Sequence, residues 1–331
     1  MTTHALVTGA TGFLGGHMAR RLAELGWRVT GLGRNEAEGR RLAEAGIVFV
    51  SGDLRDKDLI RMACEGQQYV FHCGALSSPW GPYRDFYESN VEGTRYVVEG
   101  CVQHGVERLI HISTPSLYFN YRHRLNISEA DPLPRPVNAY AATKLLAEQV
   151  VEEGGRRGLG TVILRPRAIF GPGDRALFPR LLKVNNDKGI PLLGKGRSLI
   201  DLTYVDNVAD AMLSACFASS QALGRAYNIS GGEPLPFGEL LDRLFGHLDI
   251  PLRTRAIPSF AAYTAAGVLE LAHRLLPSLG EPPLTRFSVG SVAASQTLDI
   301  TLAKQRLGYR PRVSVEEGLE KFAGWWKEQQ C

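Results

Sequence analysis

Tyr140 and Lys144 stand four residues apart in Tyr140-Ala-Ala-Thr-Lys144-Leu-Leu-Ala-Glu-Gln, a run with helical character. That spacing predicts two side chains on one helical face. A phenol is a weak acid, with an ordinary pKa of about 10, and a nearby ammonium favours its ionised form. Such a pair can exchange a proton with a carbonyl or carbinol oxygen while hydride reaches or leaves the attached carbon. Upstream, the strand-like run Arg108-Leu-Ile-His-Ile112 leads into Ser113-Thr114-Pro115-Ser116. A hydroxyl at that strand end, Thr114 or Ser116, can hold the same oxygen. By itself Tyr-x-x-x-Lys arises by chance and reads as a surface pair. Beside a nicotinamide such a pair could carry hydride chemistry, so the elements around these residues are read for a dinucleotide site.

The N-terminus supplies one. Ala5-Leu-Val7 predicts a buried strand, Gly9, Gly12 and Gly15 follow, and His17 to Leu25 is helical, with Met18, Leu22 and Leu25 on one face. Glycine is required where the chain turns sharply and where backbone must approach a diphosphate, and the helix start offers free N–H groups and the positive dipole end. In strand–turn–helix context the triplet is a dinucleotide signal. The second strand, Trp27 to Leu32, ends at Gly33-Arg34-Asn35. A carboxylate at that end would bind the ribose 2′-hydroxyl of NAD. Gly33 followed by Arg34 instead favours the 2′-phosphate of NADP(H), with NAD(H) the alternative. The third strand, Ile47 to Val50, is closed by Ser51-Gly-Asp53-Leu54, where Asp53 can meet the adenine amino group or cap the helix from Asp56 to Cys64. The fourth, Gln68 to His72, runs into the small-residue turn Cys73-Gly74-Ala75. The loop Ser77 to Tyr83 carries Trp80 and Tyr83, candidate walls of a substrate cleft.

Helix 85–105 and the strand Thr161 to Leu164 complete an alternation of strands and helices over 1–170. That pattern predicts an α/β Rossmann-type domain, a doubly wound parallel sheet, to which 204–230 returns. Residues 171–203 and 231–331 form a smaller substrate-binding lobe on this reading. Hydrophobic content is 44%, charged content 22% and net charge +4, with no basic stripe, so a soluble globular protein is expected and a nucleic-acid partner is not. The five scattered cysteines (Cys64, Cys73, Cys101, Cys216, Cys331) form neither a metal motif nor a disulfide framework. No leader precedes the first strand, which fits a cytoplasmic protein. The apolar stretch 260–280 carries Glu270, His273 and Arg274, too polar to span a bilayer but suited to peripheral membrane contact.

Together these motifs resemble the extended short-chain dehydrogenases/reductases of the NAD-dependent epimerase/dehydratase superfamily. The matching residues are Thr8-Gly9-x-x-Gly12-x-x-Gly15, Gly52-Asp53-Leu54, Asn90-Val-Glu-Gly-Thr94, Ser113-Thr114, Tyr140-x-x-x-Lys144, Arg165-Pro166 and Gly171-Pro172. The resemblance implies catalytic roles for Thr114, Tyr140 and Lys144. It implies a cofactor site built on Gly9, Thr11, Gly12, Phe13, Leu14 and Gly15, on Arg34, Asp53, Leu54, Gly74 and Ala75, on Tyr140 and Lys144, and on the backbone of Pro166. It further implies a homodimer through helices 85–105 and 140–153. Within the family the chain is most similar to the 3β-hydroxysteroid dehydrogenase-like branch and the 2-alkyl-3-oxoalkanoate reductases, through Trp80-Gly-x-Tyr83, Ser-Thr-Pro-Ser at 113–116 and Leu-Arg-Pro-Arg at 164–167.

Two rival functions share these motifs. Nucleotide-sugar epimerases and dehydratases resemble Arg-Asp-Phe where this chain has Ile200-Asp201-Leu202, an Asn where it has Ala168, and Thr-Asp-Glu where it has Thr114-Pro115-Ser116. A cofactor-sensing regulator usually lacks the tyrosine or the lysine. The expected activity is therefore carbonyl/alcohol interconversion on a small apolar substrate, with Trp80, Tyr83, Ser116 and Arg167 as its contacts and no metal.

Overall fold

The computed structural model describes residues 2–330, and Cys331 lies outside them. Seven parallel strands form the main sheet, in the order Arg225–Ile229, Gly160–Pro166, Arg108–Ile112, Tyr69–His72, His4–Thr8, Arg28–Gly33, Val48–Ser51. Ala5, Leu6, Val7 and Thr8 are fully buried, as a central parallel strand covered by helices on both faces demands. Helix Phe13–Glu24 starts directly after the glycine turn, four residues earlier than the apolar spacing suggests. It buries Met18 and Leu22, whereas Leu25 lies past the last turn, beside Gly26 at φ +80°, and is 53% exposed.

The segment expected as one helix, 85–105, is three. A short turn, Tyr83–Phe86, leads into a π-helix, Tyr87–Glu92, and then helix Gly93–Gln103. The wider π turn sets Asn90 inward, where it is buried. Its amide donates to the Leu76 carbonyl and to Thr143 Oγ1, each at 3.1 Å, and its oxygen accepts from Leu76 N at 2.7 Å. One side chain thus ties the loop after the fourth strand to helix Ala139–Arg156, which carries Tyr140 and Lys144.

Three short strands beyond residue 170 and one before it make a separate mixed sheet, in the order Leu235–Pro236, Leu199–Ile200, Gln296–Leu298, Arg124–Ile127. Strand Arg124–Ile127 lies in a stretch without strand periodicity. Helices Phe237–Leu248 and Val315–Glu328 pack onto the main domain through Leu241, Leu244, Leu319 and Phe322, all buried. Helix Ser259–Leu275 buries only Ala262 and Ala266 and leaves Phe260 80% and Leu275 71% exposed. Among the described residues no helix is long and apolar enough to cross a membrane. The four described cysteines are free thiols.

Candidate active site

The glycine turn is built by contact. Gly9, at φ +68°, lies so close to Gly74 that a Cβ would stand 2.7 Å from its Cα, and a Cβ on Gly15 would lie 2.2 Å from the Gly9 carbonyl oxygen. A chain of hydrogen bonds holds Gly74 in place. Gly74 N–H donates to Thr8 Oγ1 at 3.2 Å, and Thr8 Oγ1 meets His72 Nδ1 at 2.7 Å. His72 Nε2 meets Thr94 Oγ1 at 2.9 Å, and that hydroxyl donates to the Asn90 carbonyl at 2.6 Å. Because Thr94 gives its proton to Asn90, His72 donates from Nε2 and accepts at Nδ1. Burial, with Lys144 nearby, pushes His72 down to about 3, so the ring stays neutral. Gly12 caps helix Phe13–Glu24 with no side chain, so its first-turn N–H groups face the cleft without a side-chain partner. This cradle fits a diphosphate.

At the adenosine end, a Cβ on Gly33 would come 2.4 Å from Thr11 Oγ1, so Thr11 excludes any side chain there, a carboxylate included. Arg34 Nη1 lies 3.7 Å from Asp53 Oδ2. Arg55 reaches Asp53 from the other side, Nε to Oδ1 and Nη2 to Oδ2, both 3.0 Å. These bonds, chiefly those of Arg55, hold the Asp53 carboxyl below its usual range. Both Asp53 oxygens are engaged, so the carboxylate fastens two guanidinium groups beside Gly33. The cap of helix Lys57–Ala63 is Asp56, which accepts from Leu59 N at 3.1 Å. Arg55 was not among the residues singled out from the sequence; its place next to Asp53 was the available signal.

Strand register brings two of the candidate site residues together. Ile112 pairs with Leu164, so Thr114 and Pro166 continue side by side past the carboxyl edge, and Ser113 N donates to the Leu164 carbonyl at 2.7 Å. Thr114 caps the 3-10 turn Pro115–Tyr118, accepting from Ser116 N at 3.1 Å and donating to Ser116 Oγ at 3.0 Å. Tyr140 sits in the first turn of its helix, behind the cap Asn138, whose side chain accepts from Ala141 N at 2.8 Å. Burial raises the phenol above its ordinary value, while hydrogen bonding to the hydroxyls of Ser77 and Thr114 works the other way. Ser77 is a contact that sequence reasoning passed over as a turn former.

Lys144 is fully buried and points at the sheet rather than at the phenol. Its ammonium donates to the Ile112 carbonyl at 2.7 Å and meets His111 Nε2 at 3.1 Å. An ammonium only donates, so the His111 proton lies on Nδ1, which has no partner. Burial pulls Lys144 down to about 8, opposed by Glu148 and Cys73. The expected lowering of the phenol by Lys144 is not what this arrangement produces: desolvation dominates both groups.

The substrate candidates divide. Thr114, Ser116, Pro166 and Arg167 line one cavity of about 190 Å³, otherwise walled by Ser291 and by apolar side chains that include Ala168, Ile200, Leu202, Phe237 and Leu240. Trp80 and Tyr83 instead line a separate open groove of about 1040 Å³ with Tyr121, Phe287 and helix Ser259–Leu275. That groove passes Asn138 and Ala139, beside Tyr140, but not Thr114. Below the cavity, Arg165 binds Glu148 through Nε at 2.8 Å and Nη2 at 2.5 Å, both residues being buried. Its Nη1 donates to Tyr118 Oη, which donates to Asn228 Oδ1 at 3.0 Å.

A profile of the NAD dependent epimerase/dehydratase family matches residues 5–230. A 2-alkyl-3-oxoalkanoate reductase from Stenotrophomonas maltophilia is 39% identical over 323 residues, covering 96% of this chain and 97% of that protein. An Arabidopsis thaliana 3β-hydroxysteroid-dehydrogenase/decarboxylase, isoform 2, is 36% identical over 96% of this chain and 60% of its own length. Among solved structures, MoeE5 in complex with UDP-glucose and NAD superposes with a TM-score of 0.79 at 26% identity, covering 99% of this chain and all of that one.

Proposed function

The chain belongs to the NAD-dependent epimerase/dehydratase family, and we propose that within it this protein is an NADPH-dependent reductase of apolar 3-oxo compounds. It is an NAD(P)-dependent oxidoreductase of the extended short-chain dehydrogenase/reductase class. The observation that carries the finer reading is the cavity beside Thr114: small, closed in by Leu177, Leu181, Ile200, Leu202, Phe237 and Leu240, with few polar groups. A nucleoside-diphosphate sugar would bury its hydroxyls and charges there without partners. The named reductase relative supports the same substrate class.

When bound, the nicotinamide supplies or accepts hydride. Thr114 Oγ1, whose single proton goes to Ser116 Oγ in the free protein, would turn it to the carbonyl oxygen and polarise that bond. Tyr140, kept protonated at neutral pH by its burial, delivers a proton to that oxygen as the carbon gains hydride. Lys144, anchored on strand Arg108–Ile112, would hold the nicotinamide ribose and keep a positive charge in the site. Arg34 and Arg55, both fastened to Asp53, offer forked donors to a ribose 2′-phosphate, and Thr11 excludes the carboxylate that would prefer the 2′-hydroxyl.

The test is NADPH oxidation with a panel of 3-oxo substrates. Tyr140→Phe should lower turnover by about 10²–10⁴ while cofactor affinity stays within a few-fold. Activity retained within a few-fold would remove Tyr140 as the proton donor. Wild-type protein inert toward every 3-oxo compound, yet active on a nucleotide sugar, would overturn the substrate reading.

A further inference from the structure

Helix Ser259–Leu275 is built the wrong way round for a helix on a protein surface. Such a helix normally turns its large apolar side chains toward the core. This one packs inward through two buried alanines, Ala262 and Ala266, while Phe260, Val268, Leu271 and Leu275 are each more than half exposed. With Thr264 between Phe260 and Val268, these positions recur at spacings of four, four, three and four, so they form one stripe along the outer face. Leu276 and Leu279, just past the helix, are exposed as well. A contiguous exposed apolar patch marks an interaction surface.

Charge around the stripe is one-sided. The single carboxylate between 257 and 280 is Glu270, and it is engaged. Its Oε1 accepts from the Arg286 backbone N–H and its Oε2 from Arg286 Nε, each at 2.6 Å. Arg274 stands in the last turn of the helix, and Arg253 and Arg255 stand at the strand Thr254–Ala256 that leads into it. All three arginines are exposed, and among the described residues none of them is in an ion pair. Cations therefore flank both ends of an apolar stripe that has no free anion.

We propose that this face docks on an anionic bilayer surface. The helix lies in the headgroup region, since among the described residues none is long and apolar enough to cross a membrane. Its apolar side chains enter the acyl boundary while Arg253, Arg255 and Arg274 meet lipid phosphates. A second copy of the chain fits this face less well. Paired antiparallel, it would set Arg274 against Arg253 and Arg255. Paired parallel, it would set each arginine against its own image, with no free carboxylate in either case. Docking is independent of which carbonyl compound the enzyme takes. It has a consequence for access, because Gly267, Glu270 and Leu271 also wall the open groove that passes Asn138 and Ala139 beside Tyr140. One wall of that groove then rests at the lipid surface.

Sedimentation with vesicles tests this. The whole protein, at about 0.1 M salt, is mixed with vesicles of phosphatidylcholine alone or with about one-third phosphatidylglycerol. Each arginine near such a surface contributes about a five-fold gain, so binding to the anionic vesicles should exceed binding to the neutral ones by about a hundred-fold. It should fall steeply as salt rises toward about 1 M. Arg253→Gln, Arg255→Gln and Arg274→Gln combined should remove most of that preference. Phe260→Gln with Leu275→Gln, which leaves the charge unchanged, should weaken binding at least about tenfold. Circular dichroism and melting temperature establish that the variants fold. Wild type that stays in the supernatant with anionic vesicles overturns the proposal, and so does binding that neither set of substitutions weakens. Sedimentation velocity without lipid covers the rival occupant. A dimer that Phe260→Gln with Leu275→Gln dissociates, in a protein that ignores vesicles, assigns the face to a second copy and overturns the proposal.

Discussion

Replacing His111 with leucine tests how the active-site lysine is held. Lys144 titrates at about 8, and its ammonium has two acceptors, the Ile112 carbonyl at 2.7 Å and His111 Nε2 at 3.1 Å. With cofactor and carbonyl substrate both far below saturation, the rate reports ionisations of the free enzyme. If the cationic lysine is required, the protonated fraction falls from about nine-tenths at pH 7 to about one-tenth at pH 9, a loss of about tenfold in rate. The phenol adds nothing to this limb, because burial raises Tyr140 above its ordinary value. A 2′-phosphate on the cofactor titrates near pH 6 (about), on the other side of neutrality. His111→Leu removes an acceptor that favours the charged form, so the lysine value must fall further. A hydrogen bond to a charged group is worth about 1.5–3 kcal/mol, and one pKa unit corresponds to about 1.4, so the limb should move down by about one unit or more. His111→Gln, which keeps an acceptor, should move it less. Circular dichroism and melting temperature would establish that the variants fold. A wild-type profile flat to pH 10, or a limb that stays put in His111→Leu, would refute the assignment of both the lysine value and its cause.

Other expectations follow from contacts already described. Arg34→Ala should weaken NADPH by about tenfold, the loss of one or two charge-assisted bonds, with little effect on NADH in a fluorescence titration; equal losses would remove Arg34 as a phosphate contact. Glu148→Ala strands the buried Arg165 guanidinium and should lower unfolding free energy by about 3–5 kcal/mol in urea titrations, whereas Glu148→Gln should cost less. Ala168→Gly relieves the positive φ and should raise stability by up to about 1 kcal/mol, provided the added freedom of the unfolded chain does not cancel the relief. Gly33→Asp should fail to acquire NADH use unless Thr11 is also made smaller, because the new Cβ would enter the space of Thr11 Oγ1.

The dinucleotide half of the molecule was legible because its signals are long or local. Val7 to Gly15 announces strand, turn and helix within a dozen residues, and Arg108–Ile112 appears in the structure with the bounds its apolar run suggests. The C-terminal lobe was opaque for the converse reason. Leu199–Ile200 and Leu235–Pro236 are strands two residues long, too short to show a period; they pair with each other, Ile200 also pairs with Gln296, and Gln296 in turn pairs with the distant Arg124. Side-chain direction was equally hidden. Four-residue spacing correctly puts Tyr140 and Lys144 on one helix, but only packing against strand Arg108–Ile112 turns the ammonium away toward Ile112 and His111. Trp80 and Tyr83 looked like cleft walls because they are large aromatics on a loop. They line the open groove that passes Asn138 and Ala139, and only the fold shows that this groove is separate from the cavity at Thr114.

The positions where the chain departs from its sugar-processing relatives carry the argument about substrate, because the fold gathers them. Ala168, Ile200 and Leu202 come from different segments of the sequence and meet in the wall of the Thr114 cavity. Separately each replaces a polar or bulky residue with an apolar one, a change with many explanations. Together they leave few hydrogen-bonding groups in one small volume, poor surroundings for the hydroxyls and charges of a nucleotide sugar.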